Sequence, residues 1–184
     1  MKKLNIIRLS GWVSNLSIMI IISMQIINVF CWFFPNITIS SGINIGLSTK
    51  MLLLFPLEVK NFSVWQTISC IIFSSIPLLS MSYGLWNMHL LFKGFNKKDY
   101  FSENASNYLK KSAKGIAFWS ILNFVCEPFL SLFATWNAPP GKHTITLSFG
   151  SPDFLALYLS GCLIVISFVF SKAHTMNNEN SQFV

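Results

Sequence analysis

Apolar residues in this chain come in four long blocks, separated by stretches in which lysine, asparagine, serine, glycine and proline collect. Each block has about the length of the roughly 20 helical residues that cross a hydrocarbon core of about 30 Å. None carries the charged face that an amphipathic helix in water needs. Because lipid offers the backbone no hydrogen-bond partners, such blocks can satisfy their amides only as helices. The predicted spans cover residues 12–34, 64–92, 115–136 and 153–171.

This pattern predicts an all-α membrane protein, in which residues 1–184 form a single integral membrane domain built as a four-helix transmembrane bundle. The composition agrees, since 53% of the residues are hydrophobic and only 10% are charged, whereas about a quarter of the residues in soluble domains are charged. The first block has a basic start, but it is longer than the apolar core of a signal peptide and no small-residue cleavage site follows it. We therefore expect the first block to be retained as a span.

Basic residues lie mostly on one side of the predicted bundle. Of the thirteen lysines and arginines, only Lys50, Lys60 and Lys142 fall in the connections 35–63 and 137–152. The other ten flank the opposite ends of the spans, and six of them lie in the loop 93–114. Short loops rich in lysine and arginine stay in the cytoplasm, so both termini and the loop 93–114 are predicted to be cytoplasmic.

The net charge of +7 does not point to nucleic acid. The cations flank membrane segments and do not form one folded face with interleaved aromatic residues, so direct nucleic acid binding is not expected. The lipid bilayer, with its anionic headgroups, is the expected partner of these side chains.

The connections between the spans have patterns of their own. Ser102 is a suitable helix N-cap, and Glu103 follows where the helix dipole favours an acid, so a helix is predicted to start near Ser102 and to run into the third span. The alternative is a basic hinge without regular structure. Apolar residues alternate over 36–48 and over 143–149, which predicts short strands in the two outer loops and a small extracytoplasmic β cap on the bundle.

Polar residues within the spans form the candidate intramembrane site, because such residues are costly in lipid and need a reason to be there. Glu127 is the one acid well inside a span. Its predicted helical face and the polar stripe of the first span together comprise Ser120, Asn123, Glu127, Ser131, Gln25 and Asn28. Two interpretations stay open: a proton or substrate site at Glu127, or hydrogen bonds that join helices. His89, near the end of the second span, is expected to be an interfacial side chain and not a ligand.

Enzymatic chemistry has little support in the sequence. The four cysteines stand alone without a C-x-x-C pair, which argues against a metal site or a redox loop. Metalloprotease, nucleophile-elbow and Walker patterns are also missing from the sequence. We therefore expect a protein that is not an enzyme, with no catalytic residues, no metal and no cofactor.

The second half of the chain resembles a known family. The stretches SIPLLSMSYGLWNMHLLFKGF, DYFSEN and the C-terminal region that begins NAPPGKHTITLSFG are similar to the bacterial four-span membrane proteins called domain of unknown function 2975. The resemblance covers roughly residues 75–184, and its closest matches are Phe101, Asn104, Gly161, Glu179, Asn180, Phe183 and Val184. It implies a multi-pass protein of the bacterial inner membrane without an established biochemical activity. Members of this family are often encoded beside a small helix-turn-helix regulator, which implies such a regulator as a cytoplasmic partner.

Two functional hypotheses follow. The first is an inner-membrane sensor, or partner of a cytoplasmic transcription regulator, that docks its partner through the middle loop and the tail. The candidate docking residues are Lys110, Lys111, Lys114, Glu179, Asn180 and Phe183. The alternative is a small proton-coupled transporter or channel, expected to be a homo-oligomer, that uses Glu127.

Overall fold

Four α-helices account for almost all of the structure. The computed structural model describes residues 2–33, 63–97, 102–137, 143 and 145–182, and for 2–7, 177, 178 and 180–182 it describes the backbone alone. Within these ranges the helices are α1 (Lys2–Phe33), α2 (Val64–Asn96), α3 (Glu103–Ala134) and α4 (Ser151–Gln182). All four are long and apolar enough to cross a membrane. The predicted all-α class with four membrane-length helices is confirmed.

The chain divides into two compact units, and α1, α2 and α3 each contribute to both. Unit 1 comprises Met1–Ile22, Leu79–Ile121 and Phe149–Val184. Unit 2 comprises Ser23–Leu78 and Leu122–Ser148. All of α4 therefore belongs to unit 1.

In unit 1, α2 and α3 cross at a pair of glycines. A Cβ atom on Gly115 would lie 2.6 Å from the Cα atom of Gly84 and 3.1 Å from the carbonyl oxygen of Ser80. The Ser80 hydroxyl donates a hydrogen bond of 3.0 Å to the Gly115 carbonyl. Small residues let two helix backbones approach this closely, which favours packing where no hydrophobic effect acts between helices.

Beyond this crossing, unit 1 packs around an apolar cluster and two contacts between α1 and α2. Buried Leu91 and Leu109 form the cluster with Ala105, and Phe170 of α4 packs against it. On the α1 side, the Ser10 hydroxyl donates to the Phe92 carbonyl over 2.6 Å. The apolar cluster thus joins α2, α3 and α4, and a polar contact joins α1 to α2.

His89 is buried in unit 1, and the prediction that it is an interfacial side chain is wrong. It is 8% exposed, and its Nδ1 atom lies 2.8 Å from the Ser14 hydroxyl and 3.0 Å from the Ser14 carbonyl. The Trp86 ring lies beside it, with 5.4 Å between the ring centroids. Although His89 is close to the end of α2, it lies on the side of that helix that contacts α1.

Unit 2 has a separate apolar cluster in which Trp32, Cys70 and Leu130 are buried. The Phe73 ring stacks on the Phe129 and Phe133 rings, with centroid distances of 5.5 and 5.3 Å. Aromatic stacking adds to the free energy of burial in such clusters. Stacked aromatic side chains thus contribute to the packing of α2 against α3 in unit 2.

The start of α2 is fastened to the end of α3 by Gln66, which is 6% exposed. Its Oε1 atom accepts from the Ser63 amide over 3.0 Å and from the Asn137 side chain over 2.6 Å. Its Nε2 atom donates to the Phe133 carbonyl over 3.2 Å. The Ser63–Gln66 pair has the spacing of a capping box, so one side chain both caps α2 and ties it to α3.

The predicted β cap is not supported. In the described part of the segment 143–149 there is no strand, and the predicted hairpin at 36–48 lies outside the described residues. The amides of Thr146 and Ser148 donate to side chains of α3. The alternating pattern was therefore produced by a segment that pairs with a helix, and these amides are used there and not in a sheet.

The helix that was predicted to start near Ser102 is confirmed, since α3 runs without interruption from Glu103 to Ala134. The Ser102 hydroxyl accepts from the Ala105 amide over 3.1 Å. We expect Ser102→Ala to destabilise the protein by about 1 kcal/mol, because it removes this N-cap. Faster hydrogen exchange at the Ala105 amide would be the local sign. An unchanged exchange rate there would show that the cap does not hold this turn.

Candidate functional site

Glu127 lies on α3 and holds a segment that follows the helix. Both oxygens of its carboxyl group accept hydrogen bonds from Ser148: Oε1 from the hydroxyl over 2.6 Å and Oε2 from the amide over 3.0 Å. The side chain is half-buried. An acid that would be costly in an apolar environment is thus used as an acceptor for a backbone amide and a hydroxyl.

One helical turn later, Ser131 repeats this arrangement. Its buried hydroxyl accepts from the Thr146 amide over 3.0 Å and donates to the Pro128 carbonyl over 2.9 Å. After another turn, the Nδ1 atom of His143 lies 3.0 Å from the Thr135 carbonyl. A carbonyl oxygen can only accept, so Nδ1 carries the proton in this contact.

We call residues 143 and 145–148 the connecting segment. It runs antiparallel to α3, since its contacts at 143, 146 and 148 fall on Thr135, Ser131 and Glu127 in turn. Four helical residues advance about 6 Å, and two extended residues advance about 6.6 Å. Thr146 and Ser148, two residues apart, can therefore meet the successive helical turns at Ser131 and Glu127. Ile145 and Leu147, between the bonded positions, are 70% and 62% exposed.

The predicted intramembrane residues do not form one site in the structure. Of these residues, Glu127 and Ser131 bind the connecting segment. Ser120 belongs to unit 1, where its fully buried hydroxyl donates to the Asp153 carbonyl over 3.2 Å. Asn123 is exposed.

The two polar residues predicted on α1 lie in unit 2. Asn28 donates to the Ser75 hydroxyl of α2 over 3.1 Å. Gln25 is half-buried. The contact of Asn28 joins two helices, as the second interpretation of the polar stripe proposes.

The predicted docking residues differ in their exposure and in their contacts. The Lys110 ammonium lies 5.4 Å from the centroid of the Phe168 ring of α4, a cation–π contact. Lys111 and Lys114 are exposed, and so is Glu179. The side chains of Asn180 and Phe183 lie outside the described residues.

Comparison with known proteins identifies a family. The family described as protein of unknown function (DUF2975) matches residues 56–184. The chain belongs to this family. The match includes α2, α3 and α4, so both the connecting segment and the lysines of α3 lie in the family region. No curated protein and no solved structure matches the chain.

The family description gives no activity, so the chemistry of this member depends on its own residues.

The contacts of Glu127 were not predicted, because Ser148 lies 21 positions away in sequence and no periodicity links a helix to a loop. The usable signal was the alternation of residues 145–148, in which Thr146 and Ser148 are the polar positions. Its polar members marked the side that contacts protein.

Proposed function

We propose that this protein is a non-enzymatic bacterial inner-membrane protein that binds a cytoplasmic helix-turn-helix regulator through the polar end of α4. The observation that carries the proposal is the length of α4, which remains helical to Gln182 although its apolar run ends at Phe170. Twelve residues of helix, 171–182, advance about 18 Å. A polar helix of this kind is expected to persist when it has a partner.

The distribution of charge supports a cytoplasmic location for this end. The described lysines and arginine all belong to unit 1, and the described residues of unit 2 contain neither type. Segments rich in lysine and arginine remain in the cytoplasm during membrane insertion. Both termini of the chain belong to unit 1. The same argument therefore predicts that they lie in the cytoplasm, together with residues 171–182, which we call the α4 extension.

The α4 extension offers a surface for a protein partner. Ser171, Lys172, Thr175, Met176 and Glu179 are exposed. An apolar residue among polar and charged ones is typical of helices that dock into a groove. A membrane protein that holds a regulator in this way would act as a sensor or a sequestering partner.

The transporter alternative, with Glu127 as its proton-carrying residue, has weaker support. Both oxygens of the Glu127 carboxyl group accept hydrogen bonds from Ser148. This arrangement favours a role in holding the connecting segment.

The test is an affinity pull-down from gently solubilised membranes, followed by mass spectrometry. Intact protein is expected to recover a soluble helix-turn-helix protein. Deletion of 177–184, or the single change Glu179→Lys, is expected to reduce its recovery at least about tenfold, which corresponds to about 1.4 kcal/mol.

The matched control is Asn104→Ala, which changes an exposed polar residue at the start of α3 and is expected to leave recovery unchanged. Equal recovery with the deleted tail would overturn the proposal. Recovery of no soluble protein by the intact chain would do the same and would direct attention to Glu127.

A further inference from the structure

The lysines of α3 lie unexpectedly far into the apolar part of unit 1, measured along the helix axes. We call a position along these axes its level. Lys114 precedes Gly115, which contacts Gly84 of α2. On α2, nine residues separate Gly84 from Lys93, the first cation after its apolar stretch, and nine helical residues advance about 13 Å. Lys114, one residue before Gly115, thus lies about 12 Å further into the apolar part of unit 1 than Lys93.

The other two helices also place Lys114 in the apolar part of unit 1. The Lys110 ammonium lies over the Phe168 ring, four residues before Lys172, where the apolar stretch of α4 ends. The Ser106–Ser167 and Ser120–Asp153 hydrogen bonds set Lys114 opposite Leu159 of α4, thirteen residues before Lys172, or about 20 Å along the helix axes. On α1, Ser14 contacts His89, so α1 runs beside the same part of α2.

Large apolar side chains are exposed on the neighbouring helices at this level. Leu16 of α1, Trp86 of α2 and Leu159 of α4 are 53%, 50% and 55% exposed. Lys111 and Lys114 are themselves exposed on α3. Two cations are therefore presented to the surroundings where the rest of unit 1 presents surface suited to lipid tails.

We propose that the exposed face of α3 at Lys111 and Lys114 binds the phosphate headgroup of an anionic phospholipid, drawn towards the bilayer interior. Charged residues at apolar depth pair with opposite charges or with polar groups that reach them. Side chains on a helix tilt towards its N-terminus, which for α3 is the basic end, so both ammonium groups lean towards the headgroup region. The neighbouring apolar side chains would contact the acyl chains of the same lipid.

A second copy of the chain does not supply the counter-charge. Copies related by an axis along the membrane normal meet at equal levels, and the described acids of unit 1 are elsewhere. Glu103 is eleven residues from Lys114 along α3, Asp153 contacts Ser120, and Glu179 is in the α4 extension. The anion is therefore expected to come from lipid.

Native mass spectrometry of the purified protein in detergent, with equal phosphatidylglycerol and phosphatidylcholine, tests the proposal. The wild type is expected to retain phosphatidylglycerol preferentially. Lys111→Gln with Lys114→Gln should weaken its binding by about fivefold for each lysine. Replacing both lysines with arginine should keep binding, and its failure to do so would overturn the headgroup assignment. This variant also separates loss of charge from loss of fold.

The matched control is Lys93→Gln with Lys172→Gln, which removes two exposed cations at the ends of the apolar stretches and should change binding by less than about twofold. Equal losses in the two glutamine variants would mean dispersed attraction and would overturn a specific site. So would equal retention of the neutral lipid, or recovery of an acidic protein held by the same lysines. The proposal is independent of the α4 extension, because deletion of 177–184 leaves both lysines in place.

Discussion

Replacing Gly115 with valine is expected to lower the free energy of unfolding by about 3 kcal/mol. The first carbon of the new side chain would stand 2.6 Å from the Cα atom of Gly84, and a backbone atom cannot move aside as a flexible side chain can. The helices α2 and α3 would have to separate, with loss of the Ser80–Gly115 hydrogen bond and of the packing around it. Thermal unfolding in detergent, followed by circular dichroism, is the measurement.

Gly161→Val is the matched control, because a Cβ atom at Gly161 would meet nothing within 4 Å. Both changes put the same β-branched residue into an apolar helix in place of glycine, so intrinsic helix propensity changes equally. We expect the Gly161 variant to melt within a few degrees of the wild type. Similar melting temperatures for the two variants would contradict the close crossing of α2 and α3.

Replacing Glu127 with alanine is expected to free the connecting segment while α3 remains intact. The change removes two hydrogen bonds to Ser148 and leaves its amide without this acceptor, at a cost of roughly 2 kcal/mol. Hydrogen exchange at the Ser148 amide should then accelerate about 30-fold, because exchange rates report the free energy of local opening. Glu127→Gln should have a smaller effect, since an amide side chain keeps one acceptor oxygen.

Asn123→Ala is the control for this experiment. It is one turn earlier on α3 and its side chain is exposed, so the exchange rate at Ser148 should stay at the wild-type value. Unchanged exchange in the Glu127→Ala variant would show that Glu127 does not hold the segment. In that case the transporter hypothesis would regain its main residue.

The helices could be predicted because the apolar sequence and the lipid environment both favour helical structure. An apolar block of membrane length has no other way to satisfy its backbone, and the cap at Ser102 is a local signal that depends on neighbours in sequence. These predictions needed no knowledge of which helices are adjacent. The prediction of a β cap was not supported, because it depended on residues far apart in sequence. An alternating pattern indicates that every second residue contacts protein, but it does not indicate which part of the protein. At Thr146 and Ser148 the acceptors are side chains of α3.

The sequence did not predict which side of each helix faces its neighbours, or how far one helix is shifted along its axis relative to the next. His89 was assigned to the interface because it lies near the end of an apolar block. In the structure its side chain faces α1 and is buried. Lys111 and Lys114 were expected on the helix that starts near Ser102, within the loop 93–114. The structure confirms that helix and adds that Gly115, the residue after Lys114, lies against Gly84 of α2. Both properties depend on which backbones come close, and close approach involves residues far apart in sequence.

The pairing between α3 and the connecting segment restricts how this part of the chain can vary. Because alternate residues point to opposite sides of an extended chain, one residue inserted between Thr146 and Ser148 would turn one of the two bonded amides away from the helix. The exposed Ile145 and Leu147 could be exchanged for other apolar residues without this effect. This stretch is therefore tolerant of substitution at Ile145 and Leu147 and intolerant of an insertion between Thr146 and Ser148.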